Sequence, residues 1–475
     1  MLLSTQGGRI FSVPPKKMNF VFYTNIISPH QVPWCMAFVD LVGQDKFYYV
    51  ITDGEYLERE KLGWQVKNIN FNVLTVNNAT ELLEHADILI SGIRDVALFK
   101  LRGIKGLKTF YVSERWFKPP LGMLRLIVPT YWLMCCRFFN LLTRNAGGKC
   151  ELMLLPIGIH AARDMARMIG LLSGDIRCLW QTPEVKTEER VPLSRLRLSD
   201  RTINVENNCT SWTKDELGYG LGRMRLWGYF VKPTSISNHK QEESDKDKQL
   251  IQSEKGARRK RNFRILWVGR MLNWKRIDTL VLAVVHLLNE GIPINLKIVG
   301  HGPVEGKLRQ MAGYWLIENA QLTGEEKISE SHVDNLSSDE NQGIGISFHP
   351  PVKITEVRKL MQEADVYVFP SDGGEGWGAV VNEAMAEGCC VIGTHEAGSS
   401  ATIIEDGING YLFHAGDVRA LVECLRKVAS VASTGNSICK QAERAMDEGW
   451  NPQIAARKLF DFITQEDNGS ECNRS

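Results

Sequence analysis

From Asn19 onward, short apolar runs alternate with amphipathic stretches. NFVFYTN at Asn19 to Asn25, Phe47 to Thr52, Ala86 to Ser91, Lys108 to Val112 and Glu151 to Pro156 are continuous apolar segments of strand length. Such runs suit strands buried on both faces of a parallel sheet, and the amphipathic stretches between them supply crossover helices. MRLWGYFV, Met224 to Val231, reads as the last strand of this half. The rhythm resumes with strands at Arg264 to Val268, Asn295 to Val299, Val366 to Phe369 and Cys390 to Gly393. Helices are predicted at Ile277 to Asn289, Ile354 to Ala364, near Ala379 to Glu387 and from near Asp417. The fold class is therefore α/β, with two Rossmann-like doubly wound domains facing across a cleft.

Residues 1–17 form an N-terminal extension, 18–231 the first domain, 232–262 a linker, 263–442 the second domain and 443–475 a C-terminal helix and tail. The linker is charged and poor in apolar residues, so it cannot offset its ordering entropy. Its Asp245-Lys246-Asp247 reads as a chance match to a metal-binding DxD, and its basic run Arg258 to Arg261 as a solvated flank. The segment from Gln321 to Gly345 is polar and reads as an excursion. Gly218 to Arg223 lacks the third glycine of a dinucleotide fingerprint and precedes a strand, which argues against a NAD enzyme.

Composition narrows the function. The 475 residues carry 57 Lys and Arg against 55 Asp and Glu, too even a balance for a bulk nucleic-acid binder. Eleven cysteines, with adjacent pairs at Cys135–Cys136 and Cys389–Cys390 and no CxxC, read as free thiols in a reducing compartment. Met1 to Met18 lack the basic-then-apolar order of a secretory signal. The most apolar stretch, Leu121 to Leu142, is interrupted by Arg125, Pro129 and Arg137, which leaves too few uncharged residues to span a bilayer. It reads either as a core helix or as one lying in the interface of an anionic membrane.

Two constellations carry chemistry. Gly269-Arg270 follows a strand, with Asn273, Lys275 and Arg276 just before the next helix; two cations on such a loop can clamp a diphosphate. Ser371-Asp372-Gly373-Gly374-Glu375-Gly376-Trp377-Gly378 follows VYVFP and leads into a helix bearing Glu383. Its glycines turn the chain into a helix whose N-terminus favours an anion, and its two carboxylates lie about 10 Å apart by helical rise. That separation suits a long ligand and is too wide for a shared-proton dyad.

In these residues the chain resembles the retaining GT-B glycosyltransferases of family 4, glycosyl transferases group 1, of bacterial polysaccharide and glycolipid type. The resemblance rests on GRMLNWKR at 269–276, VGHGP at 299–303, ADVYVFPS at 364–371, the E-x7-E pair Glu375 and Glu383, and EDGINGYLF at 405–413. It implies sugar transfer from a nucleotide donor of UDP or GDP type, with retained configuration, no further cofactor and no metal. Arg270 and Lys275 would stabilise the departing diphosphate, Glu375 and the backbone of Gly376, Trp377 and Gly378 would hold the sugar, and Glu383 the ribose. Gly269 and Gly302 would complete the donor site. The terminal segment GWNPQIAARKLFDFI would cross back onto the first domain.

The first domain resembles the family less closely, with Ser28-Pro29-His30-Gln31 in place of a glycine pair. A histidine or carboxylate at a strand end here can orient or deprotonate an acceptor hydroxyl, which singles out His30, Glu114 and, less strongly, His160. The expected partners are the nucleotide-sugar donor, a sugar or lipid-linked acceptor and an anionic membrane surface, with no nucleic acid. The expected location is the cytoplasm, peripheral at the inner face of the plasma membrane. Rival readings are a nucleotide-sugar epimerase of the same fold and a non-catalytic nucleotide-binding scaffold.

Overall fold

A computed structural model describes residues 18–52, 69–143, 152–172, 226–232, 262–313, 344–432 and 437–471. Most of the linker, with its DxD and basic run, the glycine cluster at 218–223 and the body of the 321–345 segment lie outside the described residues.

Two six-stranded sheets form the frame. The first is built from β1 (Phe20–Thr24), β2 (Phe47–Ile51), β3 (Asn72–Thr75), β4 (Ile88–Ser91), β5 (Lys108–Ser113) and β6 (Leu152–Pro156), in the order 3-2-1-4-5-6. The second contains β7 (Phe263–Val268), β8 (Ile294–Val299), β9 (Gly345–His349), β10 (Val366–Phe369), β11 (Cys390–Thr394) and β12 (Tyr411–Phe413), in the order 12-11-10-7-8-9. All pairings are parallel. Counted from its own first strand, the second sheet repeats the order of the first. Each therefore has a switch point, at β1/β4 and at β7/β10, where the connections leave in opposite directions and open a crevice beyond the strand ends.

The central strands β1, β4, β10 and β11 are buried along their whole length, as their apolar runs require, and so is β6 at one edge of the first sheet. The other edge strands, β3, β9 and β12, are only partly buried. β3 and β9 therefore carry no continuous apolar run and give no strand signal in the sequence.

Of the run Met224 to Val231, the described part, Leu226 to Val231, does not add a strand. Among its described residues only Trp227 forms an isolated bridge, to Ile157. The next residue, Gly228, lies so close to Trp377 and Trp450 that a Cβ would fall 2.9 and 2.5 Å from their rings. The chain leaves the sheet there and crosses toward the second half.

Arg358 fastens this crossing. It donates to the Lys232 carbonyl at 2.8 Å and to Glu387 Oε1 at 2.7 Å, and Gln362 also donates to Glu387. Arg358 and Glu387 are both buried. The chain returns through the helix Pro452–Glu471, where Phe460 packs on Phe38, Phe462 on Phe110, and the Ile463 carbonyl accepts from Lys108 Nζ at 3.2 Å. Removing one partner of a buried ion pair strands the other without solvent. Arg358→Ala is expected to cost about 3 kcal/mol of unfolding free energy, read as a lowered urea midpoint; an unchanged midpoint would show that the crossing is held by its aromatic contacts alone.

Candidate active site

The β7 and β10 loops meet at the switch point of the second sheet. The Trp274 carbonyl accepts from the Asp372 amide at 2.8 Å, while Asp372 Oδ1 accepts from the Gly374 amide and its carbonyl from the Glu375 amide. These bonds fold the turn so that Glu375 reaches back to the short helix Asn273–Lys275, where Lys275 Nζ donates to Glu375 Oε2. Both side chains are mostly buried, and Lys275 Nζ also lies 5.4 Å from the Phe369 ring centroid. Arg270 is exposed and has neither hydrogen bond nor ion pair among the described residues. One engaged and one free cation thus border the crevice.

Gly269 and Gly302 act through the backbone. Gly269 has φ +154°, and a Cβ on Gly302 would run into the Met271 main chain, so both let the loops after β7 and β8 pack together. At Gly378, φ +88° turns the chain past the Phe369 ring. The Trp377 side chain is not a ligand-facing surface. It is 1% exposed, its Nε1 donates to Asn382 Oδ1 at 2.9 Å, and its ring packs against Tyr229 and Trp450. The helix bearing Glu383 spans Val380–Ala386, shorter than the sequence predicts. Glu375 lies on the preceding loop, so a helical rise does not measure the separation of the two carboxylates.

Across the crevice, the loop after β5 presses on the glycine turn. Arg115 Nη1 donates to the Gly373 carbonyl at 3.4 Å, and a Cβ on Gly376 would collide with Glu114 Oε2. Glu114 is held by Lys118 Nζ at 2.9 Å and by the Tyr229 hydroxyl at 3.4 Å. Burial raises the Tyr229 pKa far above the ordinary phenol range, so this group stays a donor. His30 reaches the same crevice, with Nδ1 3.6 Å from Glu383 Oε1 and its ring beside Tyr229.

His160 has a structural role. Its Nε2 lies 2.8 Å from the His395 carbonyl, and burial, aided by Arg115, lowers its pKa to about 4. The ring is neutral at physiological pH and spends its N–H on that carbonyl, which leaves no ready proton carrier.

Sequence reasoning passed over Tyr229 and Asn382. Tyr229 is hidden within an apolar run. Asn382 sits between the two glutamates of the E-x7-E pair and bonds both Trp377 and the Tyr229 carbonyl; a buried amide in that run was the available signal. Among the described residues, none of the seven cysteines forms a disulfide, and no group of three or more His, Cys, Asp or Glu side chains could hold a metal ion.

Leu121 to Leu142 is buried on one side and exposed on the other. It forms a 3-10 helix, Gly122–Ile127, then an α-helix, Pro129–Thr143, that buries Cys135 and Phe138 against the first sheet. Leu121, Leu124, Ile127, Val128 and Leu133 remain at least half exposed. No helix among the described residues is long and apolar enough to cross a membrane.

Glu383 gives the site a pH signature. Burial raises its pKa to about 7, against the opposing pull of Arg358 and with help from Glu387. Between the ordinary 4.5 and this value, the folded state holds a proton that the unfolded chain releases. This group's contribution to stability therefore falls as pH rises through that window. Glu383→Gln is expected to flatten the decline, with its urea midpoint above wild type at pH 8 and the difference vanishing toward pH 4.5; parallel curves would show that Glu383 does not titrate there.

Residues 248–444 match the family model of glycosyl transferases group 1. A putative colanic acid biosynthesis glycosyltransferase, WcaL, of Escherichia coli K12 is 27% identical over 205 residues, 42% of this chain and 44% of that protein. A phosphatidyl-myo-inositol mannosyltransferase of Mycobacterium leprae is 42% identical over 132 residues, 28% of each. The chain spans less than half the length of these curated relatives. Among solved structures, Anabaena Alr3699/HepE in complex with UDP has a TM-score of 0.52 at 13% identity, over 94% of this chain and 100% of that one. WaaG, a glycosyltransferase involved in lipopolysaccharide biosynthesis, has a TM-score of 0.51 at 14% identity, again over 94% and 100%. The fold is GT-B, and its second half carries the similarity to glycosyl transferases group 1.

Proposed function

We propose that this chain is a family 4 retaining glycosyltransferase. It moves a hexose from a UDP- or GDP-type nucleotide sugar to a hydroxyl of a lipid-linked or polysaccharide acceptor, without a bound metal. The observation that carries the reading is the placement of Lys275 against Glu375 at the switch point of the second sheet, with the exposed Arg270 on the same loop as Lys275. UDP in the HepE structure favours uridine as the base.

In this reading the bond from the anomeric carbon to the phosphate oxygen breaks, and its electron pair leaves on the diphosphate. Arg270 and Lys275 stabilise the charge that builds there; such fixed charges count most because they need no reorganisation during the reaction. Glu375 accepts hydrogen bonds from the sugar, and Glu383 from the ribose. The acceptor oxygen attacks the face the diphosphate leaves, so configuration is retained without a protein nucleophile. Glu114, pressed on Gly376 from the first domain, is better placed than His30 to take the acceptor proton, since His30 faces Glu383.

Glu375→Ala and Lys275→Ala are each expected to lower transfer by about 10²–10³-fold while the fold persists, measured by donor turnover and circular dichroism. Normal turnover in either would remove the assignment. Wild-type protein incubated with donor alone is expected to leave the sugar configuration unchanged, whereas complete conversion would identify an epimerase.

The exposed apolar side chains of 121–133 support a peripheral position at the inner face of the plasma membrane, where a lipid-linked acceptor is presented. Co-sedimentation with phosphatidylglycerol vesicles is expected for wild type and to be lost in the Leu124→Asp/Ile127→Asp variant. Equal recovery of both proteins in the supernatant would exclude this surface as a membrane contact.

A further inference from the structure

A cavity of about 400 Å³ opens in the first domain beyond the ends of β4 and β5. Its walls include Arg94, Arg115, Lys118 and Arg125, with Glu114 as the opposing carboxylate and Tyr131 beside them. Four cations against one acid leave a formal excess of three positive charges at this lining. Lys118 is spent on Glu114, and Arg115 Nε lies 3.5 Å from Asp164 Oδ2 without hydrogen-bonding to it. Arg94 and Arg125 have no ion pair among the described residues, and Arg125 Nε is buried with no hydrogen-bond partner. An unpartnered guanidinium nitrogen is a donor lacking an acceptor, and the fork geometry of arginine matches the oxygens of a phosphate.

The segment that carries Arg125 is also the apolar ridge. In a 3-10 helix, residues three apart eclipse one another. Leu121, Leu124 and Ile127 therefore share one edge of Gly122–Ile127, and they are 54%, 62% and 77% exposed. Arg125, a third of a turn beyond Leu124, lines the cavity instead. One short element thus turns a cation inward and a row of aliphatic side chains outward. Glu114 completes the arrangement, since it borders the cavity and also presses on Gly376 of the glycine turn.

We propose that this cavity binds the phosphate or diphosphate of an amphiphilic acceptor, whose apolar chain lies along Leu121, Leu124 and Ile127 and whose sugar reaches past Glu114 to the donor crevice. The site rests on the glycosyltransferase reading and names its acceptor class. A neutral lipid would bring no anion to the cations of this lining, and a free phosphate would make no contact with the ridge.

Binding of three probes distinguishes these cases by calorimetry below micellar concentrations: dodecyl phosphate, dodecyl maltoside and inorganic phosphate. Dodecyl phosphate is expected to bind at least tenfold more tightly than either of the others. Arg94→Gln/Arg125→Gln should weaken it at least tenfold while thermal stabilisation by UDP is kept. Ile127→Ser should weaken dodecyl phosphate but not inorganic phosphate. If the double variant unfolds, Arg94→Glu at the exposed position carries the same expectation. Dodecyl maltoside or inorganic phosphate binding as tightly as dodecyl phosphate, or undiminished affinity in the arginine variants, would overturn the proposal. Failure of UDP to stabilise wild-type protein would instead count against the glycosyltransferase reading.

Discussion

The indole of Trp377 is the wedge on which the arrangement depends. It sits between the last two glycines of the turn, yet its ring lies between Gly158 and Gly228 of the first half and the ring of Trp450 in the returning chain. A Cβ on Gly158 would approach the ring to 2.9 Å, and φ +84° at that residue already favours glycine. Asn382 secures the other side by accepting from the indole and donating to the Tyr229 carbonyl. The turn that presents Glu375 is thereby tied to both segments that join the halves. Aromatic rings are suited to this because they bury a large area with few rotatable bonds.

The same packing explains why the two faces of the crevice stand so close. Ile159 donates its amide to Thr402 Oγ1, and His160 meets the His395 carbonyl, so the start of the helix Ile159–Leu172 lies against the helix Gly398–Ile403. Glycines at 373 and 376 then admit Arg115, Pro119 and Glu114 to within contact of the turn. Glu114 against Gly376 and Lys275 against Glu375 are the polar contacts that line this closest approach. The polar contacts there are the ones a charged ligand can replace.

The double doubly wound plan was legible because both sheets are buried on two sides, so their central strands appear as uninterrupted apolar runs. Edge strands β3 and β9 were not, because half-burial erases the run without imposing a clean alternation. The second half of the site was readable for a related reason: Arg270 and Glu375 lie on loops beside glycines, and Lys275 and Glu383 on the short helices that follow, where packing does not call for charge. Opposite them, Glu114 could be singled out only as a carboxylate at a strand end. Its contact with Gly376 spans most of the chain and leaves no local pattern. MRLWGYFV misled because hydrophobicity measures burial, not pairing. Its rings are buried by Trp450 and Trp34 rather than by a neighbouring strand.

The stack of Phe230 on Trp450, with centroids 5.8 Å apart, has a mechanical consequence. The outgoing and returning passages of the polypeptide run side by side at that point, like two leaves of a hinge sharing one pin. One stacked aromatic pair thus fastens the outgoing passage to the returning one, and a loss of either ring would release both connections of the halves at once.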